Sequence, residues 1–550
     1  MSSTPLTILE ESVRRNPTSI AFKVPQQNAL SDWRDITYQD FLHDVELSAI
    51  YWTRVFRRDK IPQRSVIGLW IGGYDYKDVV NLYGIFRAGF VPQLFSLRLP
   101  SADVILELLA KTNAKALIYE DLFESALRTW PLPIYPEASL DHELAAGRSQ
   151  GHLDLPPVPM VEDHDIYAYF HTSGSTSGSP KLVPCNYRWL RSTLHKASQI
   201  CAPKRNHNLD VAIWGGSMAH IFQNFSKLNL EPFTIILTLS SLPVLMGHLQ
   251  HNACTVQPVS IPFSSSQLCE MVRECGLNRV NVFASYLAAH VRTARHDSGV
   301  LDALRKLDEV VYTGLPLPHE EEAWALGQEV GAMLVSNGGC GDGAGFLRQM
   351  DGVAYQFLPV ANGDEAAGAK PQTTHASTGR LLELVILPQS DDCPDVSLRS
   401  PDGNFRTGDL FIEVLPGQYV SQGRDDDWIK SESSLRCDTR AIEDNARLNC
   451  ASLIAECIVV GSGRPSPILF VEPGADAEKM DADKLSREIL RRIRQFHARR
   501  YVHERIASAR MIIVVQRGAL PRTATKGNIR RKAVEELYKE KIDSIFATTA

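Results

Sequence analysis

Paired cysteines are missing from this chain. Its 10 cysteines among 550 residues form no Cys-x-x-Cys, and no His/Cys spacing of a zinc site occurs. A disulfide framework is therefore not expected, and the thiols read as reduced core residues of a cytoplasmic protein. Positive charge is in deficit as well. Lys and Arg number 58 against 64 Asp and Glu, a formal net charge of −6. Phosphate contacts need clustered cations, so no nucleic-acid partner is expected. Long apolar runs are also lacking. The uncharged stretch Pro232–Gln250 is interrupted by Ser240, Ser241 and Pro243. It predicts a buried helix and no membrane insertion. The start, MSSTPLTILEESVRRNP, has no basic segment followed by an apolar run, so no signal peptide is expected. No internal repeat or low-complexity tract occurs.

What is present is an ordinary globular composition, 44% hydrophobic and 22% charged, in a chain long enough for several domains. The first half alternates helix and strand patterns. Helices are expected over Thr7–Arg15, Thr37–Arg54 and Lys77–Gly89. Strands are expected over Ile20–Val24, Ser65–Gly72, Val91–Phe95 and Ala116–Tyr119. Thr37 with an acidic residue three positions on is a capping arrangement. Such alternation predicts an α/β fold with parallel-rich sheets flanked by helices. Pro-rich punctuation falls at Pro131–Pro136 and Leu155–Met160, and a Gly-rich turn at Asn337–Gly345. Ala361–Thr378 is polar and reads as a surface loop. Strands resume at Leu381–Leu387 and Leu410–Val414, and Asp481–Arg500 is an Arg-rich helix. That basic face is read as solvated, with a docking surface for an acidic partner as the alternative.

The most informative segment is Phe170–Val183, FHTSGSTSGSPKLV, which follows the apolar run Ile166–Phe170. Glycine lets backbone approach a phosphate closely, successive N–H groups form an anion nest, and hydroxyls add donors. Lys181 brings positive charge. GxxxxGK[ST] is absent, so this is not a Walker loop. On its own, such a Ser/Gly-rich loop is more often a linker.

Three further segments change that weighing: FRTGDL at Phe405–Leu410, GRDDDWIK at Gly423–Lys430 and LPRTATKGNIR at Leu520–Arg530. In this order the four segments resemble the signature of the adenylate-forming superfamily, which comprises acyl-CoA synthetases, luciferases and the adenylation domains of nonribosomal peptide synthetases. The resemblance runs almost end to end, from TILEESVRRNPTSIAF through LDEVVYTGLPLP to the tail. It is nearest to fungal, synthetase-like, carboxylic-acid-activating adenylation domains.

The resemblance implies a large N-terminal body, residues 1–422, and a small mobile α+β lid, residues 423–550, with Asp426 at the hinge. It implies attack of a carboxylate on the α-phosphorus of ATP, loss of pyrophosphate, and an acyl-adenylate. Magnesium is the implied metal. The implied acceptor is the thiol of CoA or of a phosphopantetheinyl carrier. Thr172, Ser173, Gly174, Ser175, Thr176, Gly178 and Lys181 would hold the β- and γ-phosphates. Asp409 would accept the ribose hydroxyls, and Arg424 would bind ribose or phosphate. Gly314, Asn337 and Gly338 are further implied nucleotide positions. Lys526 would bridge the carboxylate and the α-phosphate as the catalytic lysine. The order there is Lys526 then Gly527, the reverse of the usual one and similar to some reductase-type members.

The chain departs from the pattern in the middle. Where the family carries Tyr-Gly-x-Thr-Glu, this sequence has SNGGCGDGAGF, Ser336–Phe346. Gly339 stands at the Tyr position and Gly343 at the Glu position, leaving Asp342 as the candidate magnesium ligand. The phosphate loop is longer by one residue, near Ser177. The pocket segment, Ala212–Phe225, contains no acid to pair with an α-amino group. His220 in it resembles the catalytic His of aryl- and acyl-activating relatives, which favours a non-amino acid. Trp214, Phe222 and Tyr286 are candidate pocket walls, or else core packing. Two other readings remain open at this level: an adenylate-using amide or ester ligase, and a non-catalytic relative that binds a metabolite or partner.

Overall fold

A computed structural model describes residues 4–26, 32–95, 97, 101–127, 130–139, 155–172, 181–203, 210–213, 216–219, 241–313, 319–328, 330, 334–336, 354–360, 381–415, 418–424, 428–432, 436–498, 502–522 and 529–547. Helix starts follow local chemistry. Thr4 caps the helix Pro5–Arg15, which carries Pro at its first position. Thr37 caps Tyr38–Arg58: the Asp40 N–H donates to Thr37 Oγ1 and the Thr37 N–H to Asp40 Oδ2, both at 3.1 Å. The helix runs four residues further than its apolar pattern indicated. The strand Trp33–Thr37 just before it was not foreseen.

Two sheets dominate. The first has six strands in the order Ile134–Pro136, Ala116–Tyr119, Val66–Trp70, Val91–Phe95, Ile166–Thr172, Lys181–Asn186. Its pairings are parallel except the last, an antiparallel hairpin at the edge. The second has seven: Leu334–Ser336, Glu309–Thr313, Arg279–Phe283, Val211–Ile213, Cys254–Val256, Ile20–Pro25, Trp33–Thr37. It too is parallel except for its final pair. The expected α/β class is therefore what the chain adopts.

The largest core cluster packs the helices Pro5–Arg15, Tyr38–Arg58, Tyr76–Arg87, Tyr187–Cys201 and Ser241–Gln250 against strands of both sheets. The last of these helices lies in the stretch expected to hold a buried one. Two of the helices approach closely where Gly84 faces Ser48; a Cβ at 84 would lie 2.2 Å from Ser48 Oγ. Trp52 Nε1 donates to Asn81 Oδ1 across the same contact, at 2.9 Å.

A four-stranded antiparallel sheet follows: Tyr355–Pro359, Leu381–Ile386, Phe405–Leu415, Gln418–Arg424. The division expected at 422/423 lies within its last strand. Beyond it come a two-stranded ribbon, Trp428–Lys430 with Arg436–Asp438, and a three-stranded sheet, Ile454–Val460, Ile468–Pro473 and Ile512–Val514. Helices Thr439–Asn449 and Ala482–Ala498 bury one face of that sheet. Helices Arg531–Leu537 and Lys539–Ala547 cover the other. Nine cysteines are free among the described residues, all but Cys269 buried. No described helix is long and apolar enough to cross a membrane.

Candidate active site

The candidate phosphate loop leaves the first sheet at a carboxyl end. Thr172 pairs with Lys181 at the end of the antiparallel hairpin, and the loop connects these two positions. The loop residues Ser173, Gly174, Ser175, Thr176 and Gly178 lie outside the described residues.

The root of the loop is better defined than its tip. Phe170 is buried in the large core between the sheets. The next residue points to the opposite face, as strand alternation requires, and there the His171 ring stacks on Phe95 with centroids 4.5 Å apart. His171 Nδ1 lies 2.9 Å from the Leu94 carbonyl oxygen, an acceptor only, so Nδ1 carries the proton. Its Nε2 lies 3.1 Å from Gln93 Nε2, a donor, so Nε2 accepts. The amide orientation of Gln93 is fixed in turn. Its Nε2 donates to the Leu108 carbonyl at 3.1 Å, and its Oε1 accepts from the Thr112 hydroxyl at 2.6 Å. Burial pushes the His171 pKa down to about 4, so the ring is neutral.

The ribose candidate, Asp409, sits in the strand Phe405–Leu415 with 1% of its surface exposed. Gly408 before it takes φ +74°, and the ladder slips beside it on both neighbouring strands. A residue with a Cβ is strained at that φ, which accounts for the Gly of FRTGDL. The turn is held from three sides. Thr407 Oγ1 donates to the Leu384 carbonyl at 2.8 Å and accepts from the Asp409 N–H at 3.0 Å. The Gly408 N–H donates to Glu383 Oε1 at 3.2 Å, and Arg406 donates to Glu383 Oε2 at 2.9 Å. Arg424 stands directly opposite Asp409 in the antiparallel register. Thus the structure places these two candidates side by side. Asp426 and Lys526 lie outside the described residues.

Several remaining candidates follow neighbouring strands of the second sheet in the sequence. Val211–Ile213, Arg279–Phe283, Glu309–Thr313 and Leu334–Ser336 are adjacent parallel strands. Trp214, Tyr286, Gly314, and Asn337 with Gly338 follow their carboxyl ends in sequence. In open α/β sheets that edge is where ligands bind. Tyr286, partly buried in the helix Ala284–Ala294, packs against the second sheet's core. Trp214, His220, Phe222, Gly314, Asn337, Gly338 and Asp342 are outside the described residues. Among the described residues no cluster of His, Cys, Asp or Glu could hold a metal.

The pocket segment is tied to the first sheet in a way no motif signalled. Ser217 Oγ donates to the Gly72 carbonyl at 2.6 Å and the Met218 N–H to the Gly73 carbonyl at 2.9 Å. Gly73 has φ +70°, and a Cβ there would meet Ser217 Oγ at 2.6 Å. Carboxylates of Asp78 and Glu120 surround this junction. Burial raises the pKa of Glu120, with the charge of Asp78 adding to it. Nearby, burial beside Asp78 pushes Glu137 up to about 9 against the pull of Lys77. Sequence reasoning also missed His171, Gln93, Glu383 and Thr407. Only Thr407 and His171 had a signal, as neighbours within the FRTGDL and FHTSG segments.

Residues 9–231 match the AMP-binding enzyme family, and residues 426–550 match the AMP-binding enzyme C-terminal domain. The AMP-binding domain-containing enzyme iboA of Amanita muscaria (strain Koide BX008) is 32% identical over 538 residues, spanning 94% of this chain and 98% of that one. The chain therefore belongs to the AMP-binding enzymes. Its fold is shared with o-succinylbenzoate CoA synthetase of Bacillus subtilis bound to its acyl-adenylate OSB-AMP. That likeness has TM-score 0.69 and 13% identity over 96% of this chain and 97% of that one. ATP-bound MatB of Rhodopseudomonas palustris is similar at TM-score 0.69 and 12% identity, over 98% and 99% of the two chains.

Proposed function

We propose that this enzyme uses ATP to convert a carboxylic acid into its acyl-adenylate, releasing pyrophosphate, and then passes the acyl group to the thiol of CoA or of a phosphopantetheinyl carrier. The observation that carries this reading is the Asp409 turn. A carboxylate held at 1% exposure on a braced bulge, with Arg424 across the ladder, suits a pair of ribose hydroxyls. The B. subtilis synthetase has also been seen with ATP and a magnesium ion, and an anthranilate CoA ligase, AuaEII, with anthranoyl-AMP. These relatives support the same chemistry here.

Two anions must meet in such a reaction, so the site has to neutralise charge and align the attack. Thr172, Ser173, Gly174, Ser175, Thr176, Gly178 and Lys181 are assigned to the β- and γ-phosphates. Gly314, Asn337 and Gly338 are assigned to the nucleotide at the second sheet's carboxyl edge. Magnesium would ride on the ATP phosphates with Asp342 as the protein ligand offered to it. Lys526 is assigned to the carboxylate and α-phosphate, where a cation present only at the transition state raises rate without uniform binding. We place the pivot of the lid at Asp426, two residues beyond the strand that pairs with that of Asp409. Rotation there would exchange Lys526 for a thiol-accepting surface. With His220, Trp214, Phe222 and Tyr286 assigned to the pocket and no acid in Ala212–Phe225, the substrate is assigned as an aryl or acyl acid. The buried free thiols fit a cytoplasmic enzyme.

The test is Lys526→Ala. Carboxylate-dependent pyrophosphate release, with hydroxylamine trapping over a panel of aryl, fatty and amino acids, should vanish while ATP binding persists. Unchanged adenylation in that variant would refute the assignment of Lys526. Silence of the unmodified enzyme across the panel would refute the activity itself.

A further inference from the structure

We infer that Gln93, His171 and Thr112 form a positioning chain that sets the phosphate loop from below, linking its root to the end of the helix Ala102–Lys111. The inference rests on the reading of residues 172–181 as the cradle for the β- and γ-phosphates.

Between the strands Val91–Phe95 and Ile166–Thr172, the assigned register pair is Gln93 with Tyr169, two residues short of His171. The His171 ring carries the connection onward. Its Nδ1–H donates to the Leu94 carbonyl at 2.9 Å, and its Nε2 accepts from Gln93 at 3.1 Å. Stacking on Phe95 fixes the ring plane. Gln93 is fully buried; its Nε2 also donates to the Leu108 carbonyl and its Oε1 accepts from Thr112, at which the helix ends. A core position filled for volume alone would take an apolar side chain, because each buried polar group must find its partners. Here three polar side chains in a row are matched donor to acceptor, and they end one residue before Thr172. Such a chain leaves the strand end a single orientation, and a phosphate nest of backbone N–H groups depends on the orientation of its first members. Protonating His171 would turn Nε2 into a donor facing the Gln93 N–H; burial, which holds the ring's pKa down, keeps Nε2 an acceptor at neutral pH.

A purely structural role would weaken every nucleotide alike. Positioning of the phosphate loop predicts a selective loss, because AMP has no β- or γ-phosphate. The experiment is calorimetric titration of the full chain with magnesium-ATP and with AMP. His171→Phe keeps the stack on Phe95 and removes both hydrogen bonds. With two hydrogen bonds lost, each at the low end of the usual range, it should weaken ATP binding about tenfold and leave AMP affinity within about twofold. His171→Asn, which can still donate to Leu94, should recover part of the loss. Thr112→Val sits at the far end of the chain and perturbs folding least. It should weaken ATP binding about threefold at unchanged AMP affinity, in line with one hydrogen bond at the low end of its range.

Ser173→Ala with Thr176→Ala inside the loop tests the underlying reading. If these loop changes leave the ATP-to-AMP affinity ratio untouched, the loop does not hold the β- and γ-phosphates and that reading fails. If they shift the ratio while His171→Phe and Thr112→Val do not, or lower both affinities equally, the positioning chain is refuted and the loop reading stands.

Discussion

The helix Tyr187–Cys201, which follows the hairpin of Ile166–Thr172 and Lys181–Asn186, is joined to the segment after the strand Leu381–Ile386 by a buried ion pair, and this joint makes a sharp prediction. Lys196 Nζ contacts Asp392 Oδ2, with both side chains 2% exposed. Asp392 also accepts from Ser390 Oγ, which accepts from the Ala354 N–H at 2.8 Å. Burial pulls the Lys196 pKa down and the Asp392 charge opposes it. Removing one partner strands the other charge in the interior, at a cost of about 3–5 kcal/mol. Lys196→Met and Asp392→Val should each show that loss. The double variant should recover most of it, because an apolar pair of similar volume avoids both desolvation penalties. It should retain about 1 kcal/mol of loss from the Ser390 hydroxyl left without its acceptor. About two turns earlier on the same helix lies a built-in control: Arg188 Nε donates to Asp391 Oδ1 at 2.8 Å on the surface. Arg188→Ala should cost under about 1 kcal/mol. A chain of this size does not unfold in one step, so the assay should be local. Amide exchange of peptides covering 187–201 and 381–398, in a urea series, gives the opening free energy of the joint itself. Additive losses in the double variant, or single losses as small as that of Arg188→Ala, would refute the reasoning.

Asp409→Asn should weaken ATP and AMP alike, roughly 10-fold to 100-fold, since both carry the ribose that a buried carboxylate accepts; nucleotide titration checks it. His290, 4% exposed and 2.9 Å from Ser265 Oγ, has its pKa pushed down to about 4 by burial. A depressed histidine lends stability that is complete above the unfolded pKa near 6.5 and is lost as pH falls toward the folded value. Between pH 7 and pH 4 the unmodified protein should therefore lose up to about 3 kcal/mol more than His290→Gln. Urea midpoints of the transition that includes residues 284–294, compared at the two pH values, measure this difference.

The parallel body was legible because each strand-helix step is a local pattern. Val91–Phe95 and Ala116–Tyr119 are apolar runs, and Thr37 with Asp40 announces a helix start in four residues. Trp33–Thr37 was hidden because it is an edge strand with exposed Arg34 and Asp35, polar where a buried strand is apolar. Ile134–Pro136 was hidden behind its prolines, which an edge strand tolerates. The site divides the same way. Asp409 and the candidate phosphate loop could be singled out because each is carried by a run of contiguous residues. The supports could not. Ser217 meets Gly72 across 145 positions and Gln93 meets His171 across 78. A lone Ser, Gln or His in such stretches carries no mark of its distant partner.

The edge hairpin that carries the phosphate loop also bears on descent. In the parallel part of the sheet, an inserted residue would slip a register and turn every following side chain to the wrong face. Beyond the Thr172–Lys181 pair an inserted residue only enlarges the loop. Closing a slightly longer loop adds little entropy cost. The additional residue near Ser177 is thus a change that one mutational event could make without rethreading the fold. On the proposed reading of this loop, such a change alters the grip on a leaving pyrophosphate while the strands on either side keep their register.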